Sequence, residues 1–307
     1  MKDQNERADV YQRVTDQIIE ALESGAGEWR MPWHKGKADT FAPTNAISRK
    51  AYRGINVLNL WAIAQKRGYG SGLWATYPQW QQLGAQVRKG EKSALVVFWK
   101  FNDKPGDEPQ DGAEREPAES SHDHNRRILA RAYYVFNAEQ VDGFLPPVAD
   151  PLSEEERIAK AEEFFSQLDA EVHHGGSRAY YSPSGDFIQL PPFESFKDAA
   201  GYYATRAHES IHWTGAPHRL NRDLKSGFDE AAYAAEELVA ELGAAFLCAD
   251  FGIANDPRPD HAAYLAHWLG ILRADKRALF TAASKAQAAA DWLHARASVS
   301  SPEMVSA

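Results

Sequence analysis

His208-Glu209-Ser210-Ile211-His212 reads H-E-x-x-H and lies near the end of a segment with the periodicity of a buried helix face. Phe196, Ala200, Tyr203, Ala207 and Ile211 recur at steps of four, three, four and four. That spacing places all five on one side of a helix. Side chains four apart on a helix stand one above the other, so both imidazoles can face a single ion. Glu209, about 100° further round, can reach a water beside that ion. Zinc lowers the pKa of a water it binds, and a carboxylate can then take the proton. The pattern therefore predicts a Zn2+ site, with another divalent transition ion also compatible, in which His208 and His212 are ligands and Glu209 is the general base. The competing reading is a solvated helix whose two histidines face water. Thr214-Gly215 predicts the helix end, with the glycine in the left-handed position that follows many helices.

Two segments compete to supply the third ligand. Extending the first motif gives His208-Glu209-x-x-His212-x-x-Gly215-x-x-His218, the metzincin spacing. Metzincins also carry a methionine turn beneath the metal, and the only Met after His218 is Met304, in a polar tail. Pro217 before His218 favours a rigid, exposed turn. The other candidate is Glu237-Leu238-Val239-Ala240-Glu241, on an apolar segment running from Asp229 to about Asp250. It offers two carboxylates at i and i+4, as in zincins whose third ligand comes from a second helix with a supporting acid one turn on. Most such pairs are solvated. Here Leu238, Val239, Leu242, Phe246 and Leu247 surround them, and a carboxylate turned inward requires a partner. Glu237 is preferred over His218, with Glu236 third.

Length predicts two domains, at 1–146 and 152–298, each able to bury a core. No apolar run approaches the roughly 20 residues that span a bilayer, so no membrane role is expected. The charged start, Met1-Lys2-Asp3-Gln4-Asn5-Glu6-Arg7, does not read as a signal peptide. The single cysteine, Cys248, excludes an intrachain disulfide framework and suits a reducing cytoplasm. Net charge is −9, but it is divided unevenly. Residues 1–100 hold 15 Lys and Arg against 9 Asp and Glu, and the remainder holds 19 against 34. A basic front and an acidic back predict separate tasks.

Six of the nine tryptophans, including Trp74 and Trp80, lie in that basic front. They are interleaved with Lys35, Arg49, Arg53, Arg88, Lys89 and Lys92, and Tyr77 stands between the two named tryptophans. Cations that follow phosphates and rings on which bases stack are what a protein needs to hold unpaired nucleic acid. The alternative is that Trp61, Trp74 and Trp80 are core aromatics. No helix-turn-helix or finger pattern favours duplex readout.

The layout predicts helices near Asp9–Glu23, Gly54–Lys66 and Thr76–Gln82, then strands at 94–99 and 128–136. Between those strands, Asn102–Asn125 is polar and acidic and reads as a disordered excursion, with His122 and His124 solvated. Pro146-Pro147 to Pro151 reads as a linker, followed by a helix capped by Ser153 with Glu156. The back half is mostly helical. Its exception is a hairpin, Ala179–Tyr181 with Asp186–Leu190 around Pro183-Ser184-Gly185. A strand before the metal helix could pair an extended peptide at its edge. His173-His174 read as loop residues. The fold class expected is α+β: a small N-terminal α/β unit and a mostly helical C-terminal unit with a short hairpin or sheet.

The chain resembles the ArdC-type antirestriction proteins. Pro43-Thr44-Asn45, Tyr52-Arg53-Gly54-Ile55-Asn56, Trp74-Ala75-Thr76-Tyr77-Pro78-Gln79-Trp80, Leu83–Glu91 and Tyr134-Val135-Phe136-Asn137 carry the resemblance in the front half. His208–Gly215, Arg219-Leu220-Asn221-Arg222 and Glu236–Glu241 carry it in the back half. The resemblance implies an ssDNA-binding domain ahead of a zincin-like metallopeptidase domain, and protection of incoming plasmid DNA from host restriction. It also favours Glu237 as third ligand. The partners it implies are single-stranded DNA and either a host restriction enzyme or another protein substrate. A metal domain that is structural or regulatory, without proteolysis, is the second expectation.

Overall fold

The computed structural model describes residues 2–25, 42–101, 128–146, 152–222, 224, 230–253 and 261–300. The expectations for Lys35, for the acidic insert with His122 and His124, for the linker beyond Pro146, and for Met304 lie outside these residues. The architecture is α+β, with small sheets and a mostly helical C-terminal half.

The N-terminal unit is built on a four-stranded sheet in the order β1-β2-β5-β4. These strands are β1 (Thr44–Asn45), β2 (Leu73–Thr76), β4 (Ala94–Phe101) and β5 (Ile128–Asn137). β3 (Gln86–Val87) pairs separately with β6 (Val141–Asp142). β4 is an edge strand, and an open edge invites pairing with other chains. Helix α2 (Ile55–Arg67) closes it with side chains. Asn56 donates to the Val97 carbonyl at 2.8 Å and accepts from the Val97 N–H at 2.7 Å, while Asn59 donates to the Leu95 carbonyl at 2.7 Å. Helix α3 (Tyr77–Gln82) starts on a capping box between Thr76 and Gln79.

In the C-terminal unit, α4 (Glu154–Ser166) begins at the expected Ser153–Glu156 box. A three-stranded sheet follows in the order β7-β9-β8, from β7 (Glu171–His174), β8 (Tyr180–Ser182) and β9 (Phe187–Leu190). The predicted hairpin is β8–β9, antiparallel. Two expectations are corrected here. His173 and His174 are strand residues, because β7 pairs in parallel with β9. β9, the strand before the metal helix, is the central strand and is paired on both sides, so the edges able to take an added strand belong to β7 and β8.

Four helices complete the unit: α5 (Ala199–Thr214), α6 (Glu230–Phe251), α7 (His261–Ala274) and α8 (Ala278–Ser300). α6 is apolar on nearly every described face, which suits a helix packed between α5 and α8.

The two units share one buried apolar cluster. It runs from Val14, Ile18 and Leu22 of α1 (Lys2–Gly25) through Leu58, Leu60 and Ile63 to Leu238, Phe246 and Leu293. Trp61 meets Phe246 across the boundary with ring centroids 6.1 Å apart. Polar ties run alongside: Gln287 of α8 accepts from the Gly54 N–H at 2.9 Å, and Arg53 pairs with Asp291. α1 also reaches the C-terminal helices, where Thr15 donates to the Lys276 carbonyl at 2.9 Å.

Candidate metal centre

α5 supplies two imidazoles and α6 one carboxylate. The helices approach closely because α6 has a glycine where they cross. A Cβ at Gly243 would stand 2.7 Å from the Ile211 side chain. A mid-helix glycine costs about 1 kcal/mol relative to alanine, and here it gives the Ile211 side chain room against α6. Nothing in the hydrophobic periodicity marks Gly243 as part of the site.

His208, His212 and Glu237 each offer a ligand atom, all within 4.8 Å of one another. The two Nε2 atoms are 3.2 Å apart. Glu237 lies across both, with Oε2 3.4 Å from His208 Nε2 and Oε1 3.4 Å from His212 Nε2. Two ligands about 2.0–2.1 Å from an ion in tetrahedral array stand roughly 3.3 Å apart, and a cis octahedral pair roughly 3.0 Å. The donor set therefore fits one divalent ion. Two nitrogens and a carboxylate suit zinc and its first-row neighbours. Glu209 is 3% exposed, like His208, in the turn between the two imidazoles.

Each ligand imidazole has a carboxylate behind it. Glu241, 1% exposed, places Oε2 3.6 Å from His208 Nδ1, beyond hydrogen-bond reach, and that buried Nδ1 has no hydrogen-bond partner among the described residues. Glu236 Oε1 lies 3.3 Å from His212 Nδ1 and accepts its proton in a hydrogen bond. Burial alone would push the His212 imidazole down, but the carboxylates of Glu236 and Glu237 outweigh it and hold the group up at about 10. Glu237 is driven far below the carboxylate range. Burial opposes this, and the hydrogen bonds and charges of the two histidines prevail.

His218 stands apart. Its side chain is 63% exposed and faces Asp186 at 3.4 Å, next to Arg219. The described residues that follow α5 are tied down instead by two arginines. Arg219 lies over the Trp213 ring at 4.2 Å, donates to the Trp213 carbonyl at 2.6 Å and pairs with Asp186. Arg222 donates to Glu236, to Thr214 Oγ1 at 2.7 Å and to the Ile211 carbonyl at 2.5 Å. Gly215 is right-handed, with φ −75°, which corrects the left-handed expectation. What excludes a side chain there is space, since a Cβ would stand 2.9 Å from Leu224 and 3.1 Å from Arg222 Nη2.

Apart from Tyr77, and from Lys35 outside the described residues, the expected nucleic-acid residues divide into three groups. Trp74 and Trp80 are 1% and 0% exposed, so they are core aromatics with no face open to a base. Arg53 and Arg88 are held by the fold: Arg53 pairs with Asp291, and Arg88 pairs with Glu91 and Asp142 and donates to the Glu139 carbonyl. Arg49, Lys89 and Lys92 are exposed. Among the described residues, the large aromatics open to solvent in this unit are Tyr77, Tyr133 and Tyr134. Neither β5 tyrosine is a sequence candidate, because strand alternation predicts one buried side chain of two neighbours, and here both are exposed.

Residues 159–285 match a family described as a zincin-like metallopeptidase, and residues 8–136 match the N-terminal domain of anti-restriction factor ArdC. The chain is 53% identical to an uncharacterised protein, y4eC, of Sinorhizobium fredii, over 94% of this chain and 93% of that protein. It is 38% identical to a DNA primase TraC of Escherichia coli over 92% of its own length, yet spans 27% of that relative. Among solved structures, the metal-free antirestriction ArdC protein of plasmid R388 is similar with a TM-score of 0.73 and 40% identity, over 95% of this chain and 98% of that one. The Mn(II)-bound form of the same protein gives 0.71 and 41%, over 94% and 97%. No helix among the described residues is long and apolar enough to cross a membrane. Both halves match, and a solved relative aligns along almost its whole length: the chain belongs to the ArdC antirestriction family, and its C-terminal unit is a zincin-like metallopeptidase domain.

Proposed function

We propose that this chain binds single-stranded DNA through its N-terminal unit, holds one divalent transition ion, zinc or Mn2+, at His208, His212 and Glu237, and protects incoming plasmid DNA from host restriction. The observation that carries the metal assignment is the convergence of two Nε2 atoms and a carboxylate at 3.2–3.4 Å among largely buried side chains. A divalent ion there supplies Lewis acidity toward a carbonyl and toward water. Glu209 takes the proton of the attacking water and returns it to the leaving amine. The protein substrate would be a host restriction enzyme or another protein that meets the DNA. Exposed cations at Arg49, Lys89 and Lys92 would follow the phosphates. No membrane partner is involved, and the site of action is the cytoplasm.

The depth of the cluster favours a second reading in particular. His208, Glu209 and Glu237 are all at most 6% exposed, as befits an ion that holds α5 to α6 without turnover. Glu209→Gln separates the two. Conjugative transfer into a restricting host is measured with the parent or the variant present, and bound metal is quantified in both. If metal is retained and protection lost, hydrolysis carries the phenotype. If protection persists with metal retained, the ion is structural and protection comes from DNA binding. A parent protein that takes up no transition ion sinks both.

A further inference from the structure

The two ligand histidines are not held alike. His208 Nδ1 has no hydrogen-bond partner among the described residues and stands 3.6 Å from Glu241. His212 Nδ1 is bonded to Glu236, and Glu236 is gripped by Arg222 through Nε at 3.1 and 3.2 Å and through Nη2 at 2.9 Å. The Arg222 and Glu236 side chains are only 6% and 11% exposed. We infer that Arg222 and Glu236 are positioning residues that clamp His212 as an Nε2 donor, tying the end of the metal helix to the orientation of its second ligand.

The clamp follows from what each atom must do. A neutral imidazole that offers Nε2 to an ion carries its proton on Nδ1, and an acceptor at Nδ1 selects that tautomer and fixes the ring. Glu236 is that acceptor. A carboxylate on a single torsionally free stem would let the ring swing, but the planar guanidinium of Arg222 holds both oxygens. The remaining Arg222 donors take the Ile211 carbonyl and Thr214 Oγ1, groups in the last turn of α5. The C-terminal carbonyls of a helix lack intrahelical partners. One side chain thus finishes the helix and aims a ligand on it. Gly215 leaves the room, since a Cβ there would press on Arg222 Nη2 at 3.1 Å.

The inference rests on His208, His212 and Glu237 being the ligands. Mn2+ binding to the full-length folded chain is measured by calorimetry for the parent, Glu236→Gln, Arg222→Lys and Asp186→Asn. Asp186→Asn is the control, because it disturbs the neighbouring Arg219 lock, whose partners are Trp213, Asp186, His218 and Tyr181 and not a ligand side chain. Loss of a carboxylate behind a ligand histidine weakens metal binding by about 10- to 100-fold. That loss is expected for Glu236→Gln, a smaller one for Arg222→Lys, and none for Asp186→Asn. In the parent loaded with diamagnetic Zn2+, 15N shifts of His212 should report a protonated Nδ1. Should Glu236→Gln prove too unstable to titrate, Arg222→Lys and the His212 shifts decide alone. Parent-like affinity in the clamp variants, or equal loss in Asp186→Asn, overturns the clamp and leaves the metal site standing. A parent that binds no Mn2+ overturns the site itself.

Discussion

The candidate metal site and the basic N-terminal stretch both stand out by residue type, yet they behave differently in the folded chain. At the centre, the marked side chains converge: two histidines from α5 and a glutamate from α6 meet within 4.8 Å. In the N-terminal unit, the marked side chains disperse. Trp74 and Trp80 turn into the core, Arg53 and Arg88 are bound by the fold, and the exposed rings among the described residues are tyrosines. The contrast is one of geometry. An i, i+4 pair on a helix is already a spatial statement, because the helix fixes both side chains on one face. A tryptophan among lysines says nothing about which side of its strand will meet water.

The widest effect expected is at Glu209. Replacement by Gln should slow any hydrolysis by about 10^2- to 10^4-fold, the usual contribution of a general base, with stoichiometric metal intact by elemental analysis. Hydrolysis at the parent rate would remove Glu209 from the chemistry. Next comes Trp80→Ala, which tests the other side of the contrast. As a core ring it should cost about 3–5 kcal/mol in chemical denaturation, with little change in oligonucleotide affinity for the fraction that stays folded. A variant that kept its stability but lost DNA binding would return Trp80 to the binding surface.

Gly243→Ala should destabilise by about 1–3 kcal/mol, since the new methyl crowds Ile211 by more than the helix gains. It should also weaken metal binding, and an unchanged affinity would show that Glu237 does not depend on this crossing. pH gives a smaller lever. In the metal-free protein His212 is raised to about 10, so its pairing contributes stability that is complete below its ordinary 6.5 and is lost as pH rises through about 10. An arriving ion must displace that proton, so apparent Mn2+ affinity should climb about tenfold per pH unit below pH 10 for each proton released. A flat profile would mean that His212 is neutral before the ion arrives. Smallest is Lys89→Ala, which should lower the slope of log affinity against log salt for a single strand by about 0.7. No change in slope would take Lys89 off the phosphate path.

The sequence carried the helices, the Ser153 cap, the long strands and the meeting of His208, His212 and Glu237, because each is written in local periodicity or in a spacing a helix converts to distance. It did not carry β7. Glu171-Val172-His173-His174 has one apolar residue, and its parallel pairing with β9 depends on contacts from across the sheet. Nor did it carry Arg222 and Glu236 as a pair. They are fourteen residues apart, in a loop and on a separate helix, where no repeat links them. Gly215 misled for a related reason. Its absent side chain answers a tertiary crowding that looks, from the sequence, like a turn requirement.

The apolar cluster that crosses from α1 and α2 into α6 and α8 makes the two halves poor candidates for separation. Scission anywhere near residue 150 would leave Ile18, Leu58 and Leu60 on one piece and Leu238 and Leu293 on the other, each greasy flank suddenly wetted. Such pieces should cling to one another or precipitate. Protease nicking would then yield a complex that still migrates as one body, and anything that loosens the N-terminal half would be felt mechanically at α6 and α8.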